Sequence, residues 1–417
     1  MFEVNKRKVM NKEIFNDKIK SMKNYIMFEI KARQIELTPE LTAKNRKPIA
    51  LSMGAPVEPV SPFIIEKTKE YLNVNPLHTY STPKGEPRFL EAVSTRMKER
   101  FNVEINPKNE VCSLIGSKEG ICHMIKALVN PGKDDAIMVP SPGYASYSQM
   151  IKSSGAVAYE VPLSKENNFQ PDLYEVLEQY KKEGKDIKKI KALIINYPNN
   201  PLGCTCDFNY LQHCVDFCNK LDIILISDNA YCDMYFDEKF KPHSALECKG
   251  AFDCCIEMYS FSKSYAMTGW RMGWACGNKD IVTMLSRMKS TVDTGIFKVL
   301  QYAGADILES PEGQKYVDEQ NIKFKNKLQL FTDGLKSLGY NIEMPKATFY
   351  LWLEIPKRFK DCVDFANQLL ETSGIVIVPG TAFDKNATRY CRISVVAADN
   401  DLKEVINRMK QDGFYFE

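Results

Sequence analysis

No apolar run in this sequence approaches the roughly 18 residues that cross a bilayer, and its first twenty residues mix charges throughout. Neither a membrane anchor nor a secretory signal is therefore expected, and the expected location is the cytoplasm. A field of one sign is lacking too, since 56 basic residues stand against 53 acidic ones for a net charge of +3. That near-balance excludes the electrostatic footprint of a protein that holds nucleic acid or an anionic membrane surface. The basic runs KRK at 6–8 and KKEGKDIKKIK at 181–191 are local and read as solvated faces or loops. Internal repeats and low-complexity linkers are also missing, which excludes a repeat architecture.

Cysteine is plentiful but lacks pattern. The 13 cysteines are odd in number, never spaced C-x-x-C, and set in apolar runs such as AFDCCIEMY, which fits reduced thiols used as small core residues. Cys204, Cys206, Cys214 and Cys218 with His213 match no common zinc spacing, and Cys214 and Cys218 fall on the buried face of a helix, so no metal is expected.

At 417 residues the chain exceeds the roughly 250 to 300 residues at which single cores stop growing, so two domains are expected. Residues 1–60 read as an N-terminal arm, with a helix-like piece around Asp17 to Glu36, joined to part of a smaller domain. Ser61 and Pro62 read as the cap and first residue of a helix. From there short apolar runs alternate with amphipathic segments of helical length, which predicts a mostly parallel sheet covered on both faces over 61–297. The runs are VCSLI, AIMVP, VAYEV, KALIIN, DIILIS and CIEMY. Beyond them, helical patterns through Leu308 and from about Val317 to Leu338 precede strand-like ATFYLWLEIP, IVIVPG and RYCRISV. A smaller α+β domain over 298–417 is the economical reading.

Four of the runs end in polar or charged residues. VCSLI leads to Gly116, Ser117 and Lys118; KALII to Asn196 and then Asn200; DIILIS to Asp228; CIEMY to Ser260 and Lys263. Convergence of such residues at the carboxyl ends of strands is how α/β sheets build ligand sites. In SFSKSYAMTGWRMGW, Ser260 to Trp274, a lysine follows a buried strand and is a candidate for Schiff-base chemistry. Ser260, Ser262 and Arg271 supply the hydroxyls and planar guanidinium that bind a phosphate. A cofactor carrying both an aldehyde and a phosphate fits that pairing.

The segment resembles the pyridoxal-phosphate lysine motif of class I/II aminotransferases, and the resemblance runs from about residue 50 to the C-terminus. It implies the type I fold of pyridoxal-phosphate-dependent transferases, an α/β large domain with a smaller α+β domain, and pyridoxal 5'-phosphate as cofactor. Lys263 is then the cofactor lysine and catalytic base, and Asp228 the partner of the pyridine nitrogen. Tyr231 and Asn200 would bond the cofactor's phenolic oxygen, and Tyr144 would stack on its ring. Ser260 and Arg271, with Gly116, Ser117 and Lys118 at a helix N-terminus, would hold the phosphate. Tyr80 would reach the phosphate of a neighbouring subunit, which implies a homodimer. Arg392 would clamp the substrate α-carboxylate in a bidentate pair, with Gly54 approaching it and Arg389 turned to solvent. Several of these also have plainer readings: Tyr80 as a packed loop residue, Lys118 as the start of a surface helix, Gly54 as turn chemistry.

LIGSKEGI, VPSPGYASY, KENNFQPDL, NYPNNPLG, MTGWRMGWACGNKDI, KSTVDTGIF and ATFYLWLEIP are similar in wording to the LL-diaminopimelate aminotransferases and their aspartate-aminotransferase relatives. That similarity implies transfer of an amino group between an L-amino acid and a 2-oxo acid, glutamate and 2-oxoglutarate forming one pair, with a place in lysine biosynthesis and with Lys118 meeting a distal carboxylate. Aspartate or alanine as donor is the alternative, and a pyridoxal-phosphate C–S lyase or decarboxylase is the alternative of another class. The chain departs from the diaminopimelate pattern in YSTPKG, where Pro83 and Lys84 stand in place of a glutamate; Lys84 there would favour a carboxylate over an ammonium. Ala55, Val57, Leu202 and Ala145 are further departures.

Overall fold

In the computed structural model residues 12–22 and 26–417 are described; the KRK run at 6–8 and part of the arm lie outside them. Twelve strands occur among these residues: β1 (Ile49–Ala50), β2 (Val111–Leu114), β3 (Ala136–Ser141), β4 (Val157–Pro162), β5 (Ile190–Ile195), β6 (Ile224–Asp228), β7 (Cys255–Ser260), β8 (Gly273–Gly277), β9 (Tyr350–Glu354), β10 (Ile375–Val376), β11 (Val378–Pro379) and β12 (Tyr390–Ser394).

Seven strands form one sheet in the order β2-β8-β7-β6-β5-β3-β4. Only β8 runs against the others, antiparallel to both β2 and β7. The alternation of side chains explains why these strands read as continuous apolar runs. Met138, Leu193, Leu225 and Tyr259 enter a core on one face, while Ile137, Ile194, Ile226 and Met258 enter a core on the other. A sheet covered on both faces offers no polar side to write into the sequence. The reversed β8 was not visible there, because GWACG is short, glycine-rich and attached to the loop that carries Arg271.

The smaller body joins an antiparallel sheet, β11-β12-β9, to the parallel pair β1-β10. The pairing of Ile49 with Ile375 is what places the segment before residue 60 in this body. The helix Pro311–Ser337, about 40 Å long at 1.5 Å per residue, belongs to both bodies. Its Tyr316 and Val317 pack in the first core of the large sheet, and its Phe324, Leu328, Phe331 and Leu335 pack in the core of the smaller body. Each fully buried side chain of this size contributes roughly 1.5 to 3 kcal/mol.

Several local expectations need correction. The helix Lys298–Glu309, placed in the smaller domain by a boundary at 298, buries Ala303, Ala305, Ile307 and Leu308 in the first core of the large sheet instead. An amphipathic pattern says that a face is buried, not which neighbour buries it. The arm contains a short turn of helix, Asp17–Lys20, and a separate helix, Ile26–Ala43. Ser61 precedes the helix Pro62–Leu72 but its hydroxyl makes no capping bond; Pro62 alone, which needs no N–H partner, opens the first turn. IVIVPG divides into β10 and β11, which join different sheets. Cys214 and Cys218 lie fully buried on the helix Phe208–Leu221. No helix among the described residues is long and apolar enough to cross a membrane.

Candidate active site

The carboxyl ends of β2, β5, β6 and β7 open onto one cavity of about 210 Å³. Gly116, Ser117, Lys118, Asn196, Asn200, Asp228, Ser260 and Lys263 all line it, together with Gly54, Tyr144, Tyr231, Arg271 and Arg392. Of the residues singled out from the sequence for a role in the site, Tyr80 and Lys84 are elsewhere in this chain.

Two oppositely charged groups, the half-buried Lys263 and the buried Asp228, lie at its centre. Lys263, on the helical turn after β7, donates a 2.5 Å hydrogen bond to the carbonyl of Gly54. Burial, reinforced by Arg392 and Arg271 and opposed by Asp228, pushes its ammonium down to about 8. Asp228 ends β6 and accepts a 2.6 Å bond from the Tyr147 hydroxyl and a 3.2 Å bond from the Ala230 amide. Burial nevertheless holds its carboxyl above the ordinary value, against the pull of Tyr147, Ala230, Ser117 and Lys263. A cationic partner beside Asp228 would restore its charge.

At one end the lining is built for an anion. Gly116, at φ +114°, turns the chain into the helix Ser117–Leu128, whose first amides and dipole face the cavity. A Cβ on Gly116 would stand 2.7 Å from Arg271 Nη2, so only glycine lets the guanidinium lie against this turn. Arg271 itself sits at φ +55° and donates to the Thr268 carbonyl at 2.8 Å and the Ser262 hydroxyl at 3.4 Å. The Ser260 hydroxyl accepts from the Ser262 amide, closing the same turn.

At the other end Arg392, on β12, donates to Asn200 Oδ1 at 3.0 Å and to the Ser52 carbonyl at 2.8 Å. Its Nε is buried with no protein partner. Gly54 is adjacent: a Cβ there would lie 3.8 Å from both terminal nitrogens of Arg392.

The sequence matches the aminotransferase class I and II family over residues 46–409. It is 34% identical over 405 residues, 96% of this chain and 99% of the other, to an LL-diaminopimelate aminotransferase of Halothermothrix orenii. It is 37% identical over 379 residues, 91% and 94% of the two chains, to one of Desulforudis audaxviator. Among solved structures it is similar to substrate-bound BacF of Bacillus subtilis, with a TM-score of 0.89 and 32% identity over 97% of this chain and 99% of that one. This chain is a class I/II aminotransferase.

The aminotransferase is therefore a pyridoxal-phosphate-dependent enzyme of the type I fold, and its cavity fits that cofactor. The glycine cradle against Arg271 suits a phosphate, a protonated ring nitrogen would answer the buried Asp228, and Lys263 is positioned and depressed in pKa as an amine that bonds an aldehyde.

Sequence reasoning missed four residues of this site, among them Ala230, whose amide bonds Asp228. Tyr147 holds Asp228, Tyr350 shares a 2.9 Å hydrogen bond with Tyr231, and Met27 reaches the lining from the N-terminal arm. Asn196, legible only as a strand end, donates to the Asp228 carbonyl and accepts from the Asn200 amide. Asn200 is engaged with Arg392 and Tyr231 with Tyr350. Arg389 does not turn to solvent; it gathers the carbonyls of Ile355, Pro356, Phe359 and Lys360. Lys84 lies outside the cavity of its own chain and bonds the Lys108 carbonyl. Tyr80 is 85 % exposed and stands outside the cavity of its own chain.

Proposed function

We propose that this aminotransferase moves the amino group of a dicarboxylic L-amino acid, LL-diaminopimelate or a close analogue, to 2-oxoglutarate, and serves lysine biosynthesis in the cytoplasm. The observation that carries this reading is the charge of the cavity, which is lined by Lys118, Lys263, Arg271 and Arg392 but by a single acid, Asp228. Arg271 is assigned to the cofactor phosphate and Arg392 to the α-carboxylate. Lys263 would be engaged by the cofactor aldehyde. Lys118, on the first turn of the helix Ser117–Leu128 and lining the same cavity, is assigned to a second carboxylate, which suits diaminopimelate, glutamate or aspartate over alanine. The names of the two curated relatives point the same way.

Pyridoxal phosphate, when bound, supplies an aldehyde that takes up amines and a ring that draws electrons from the α-carbon. The remaining roles fall to the chain. Asp228 holds the proton on the ring nitrogen, and Tyr147 and Ala230 hold Asp228. Tyr231 and Asn200 are assigned to the phenolic oxygen, and Tyr144 to the ring face. Arg392 orients the substrate through its carboxylate, with Asn200 fixing one guanidinium nitrogen. Lys263 carries the proton between the α-carbon and the cofactor. Its value of about 8 leaves a useful neutral fraction near neutral pH.

Tyr80 completes the site from a second copy. Its exposure, and the exposed ring of Phe297 tilted against His78, support a homodimer in which this loop leaves its own subunit. Sedimentation of the purified protein tests the dimer; a monomer at micromolar concentration overturns it. For the reaction, ¹⁵N-labelled LL-diaminopimelate, glutamate, aspartate and alanine are offered singly with 2-oxo acids, and transfer of label is followed. Transfer from LL-diaminopimelate and glutamate above alanine is expected. Label transferred only from small neutral or aromatic donors, or release of pyruvate, carbon dioxide or a free amine, overturns the assignment.

A further inference from the structure

Tyr350 opens β9, is fully buried, and lines the active site at its Arg392 end. Its hydroxyl lies 2.9 Å from that of Tyr231. Its ring lies against the guanidinium of Arg392, 4.4 Å from ring centre to Cζ. It also bounds the Gly54 turn, where an added Cβ would stand 3.0 Å from the Tyr350 hydroxyl. One side chain thus meets the tyrosine assigned to the cofactor oxygen and the arginine assigned to the substrate carboxylate.

We propose that Tyr350 is a positioning residue for transamination, which donates its proton to Tyr231, thereby aims the Tyr231 proton at the cofactor's phenolic oxygen, and holds Arg392 against its ring for a carboxylate. This rests on the roles proposed above for Tyr231 and Arg392. A phenol has one proton to give, so between the two hydroxyls one must accept. The full cation over the Tyr350 ring makes its O–H the better donor. Lys263 lies farther from Tyr231, its ammonium 5.8 Å from the ring centre. Tyr231 therefore accepts from Tyr350 and keeps its own proton for the ligand.

The test uses the cofactor-loaded protein without substrate. A donor aimed at the phenolic oxygen stabilises the cofactor most after deprotonation, when that oxygen is most negative. Tyr350→Phe should therefore raise the pH midpoint of the visible absorbance change by roughly half to one pH unit, the size of a neutral hydrogen bond. Because phenylalanine keeps the ring under Arg392, the KM for the amino donor should stay within roughly twofold while kcat falls. Tyr350→Leu removes the ring too, and should raise KM roughly three- to thirtyfold. In a protein carrying Tyr231→Phe, adding Tyr350→Phe should move the midpoint no further. A midpoint unchanged in Tyr350→Phe, with only the melting temperature lowered, overturns the proposal, as does a shift that adds in full to that of Tyr231→Phe. A Tyr231→Phe midpoint equal to wild type also overturns it, and locates the failure in the role given to Tyr231. Loss of the visible band in Lys263→Ala is the separate check on the cofactor reading.

Discussion

The Tyr147 hydroxyl donates a 2.6 Å hydrogen bond to Oδ2 of Asp228, and both side chains are buried. Tyr147 belongs to the helix Ser146–Ser153 that follows β3, whereas Asp228 ends β6, so the bond ties two separate crossovers at the point where charge is handled. Burial already pushes Asp228 toward its neutral form, and the Tyr147 bond is the largest opposing influence. Tyr147→Phe removes that donor and leaves the ring in place. We expect kcat to fall roughly tenfold, the cost of one hydrogen bond to a charged group, with the acid side of the pH–rate profile moved upward because Asp228 gains a proton more readily. Steady-state kinetics from pH 5 to 9 check this.

Gly116→Ala tests the phosphate cradle. The residue sits at φ +114°, where a side chain is strained, and its Cβ would press on Arg271 at 2.7 Å. Strain of this kind costs about 1 to 3 kcal/mol, so cofactor affinity should fall roughly 10- to 100-fold. Titration of the stripped protein with pyridoxal phosphate, followed by absorbance, measures it.

These two residues also mark where the sequence could be read and where it could not. Gly116, Asp228 and Lys263 each follow a short apolar run, and a polar residue at a strand's carboxyl end is a local signal. Tyr147 and Tyr350 send none: Tyr350 lies in an apolar run and reads as core, and Tyr147 stands between Ser146 and Ser148, three residues after the tyrosine that the motif singles out. Their hydroxyls matter only because the fold brings β6 to one and the Tyr231 loop to the other. The same limit applies to the helix Lys298–Glu309, whose buried face was legible but whose partner was not. Strand β8 was lost for the opposite reason, having too few apolar residues to stand out from the loop before it.

Lys263 should make the cofactor-free protein less stable below pH 8. Its folded value is about 8 against an ordinary 10.5, so the unfolded chain binds more protons between those limits and stability rises with pH across them. The penalty is complete below the lower value and gone above the higher one. Lys263→Met, stripped of cofactor, should be more stable than the stripped wild type at pH 7 by on the order of 3 kcal/mol. That gain should shrink steadily from pH 8 to 10.5. Urea denaturation of both proteins at each pH measures the difference, and a gain independent of pH would reject titration as its cause.

Asp233 fastens the loop that carries Tyr231. Arg96 and Arg100, from the helix Pro87–Phe101, approach one of its oxygens at 3.1 and 3.4 Å in a mostly buried setting. Burial alone would raise its carboxyl, but the two arginines outweigh burial and hold it below the ordinary 3.8. Asp233→Ala leaves two like charges without their partner and should cost about 3 to 5 kcal/mol. The wild-type advantage should be complete above pH 3.8 and be lost as pH falls through the lower folded value, which urea midpoints at pH 3 and pH 7 will show.

Lys118→Ala separates the two duties open to that lysine. It lines the cavity on the first turn of the helix Ser117–Leu128, with its ammonium 5.9 Å from the ring centre of Tyr144. If it receives a distal carboxylate, the variant loses a charge-assisted bond that only dicarboxylic donors make, worth about 1.5 to 3 kcal/mol. Then kcat/KM for LL-diaminopimelate and glutamate should drop roughly 10- to 100-fold while that for alanine stays nearly constant, and the selectivity of the enzyme should collapse toward small donors. If Lys118 serves only the phosphate, cofactor affinity should weaken and every donor should lose alike. Measuring kcat/KM for all three donors at saturating pyridoxal phosphate distinguishes the two, because excess cofactor repairs a phosphate defect and leaves a substrate defect untouched.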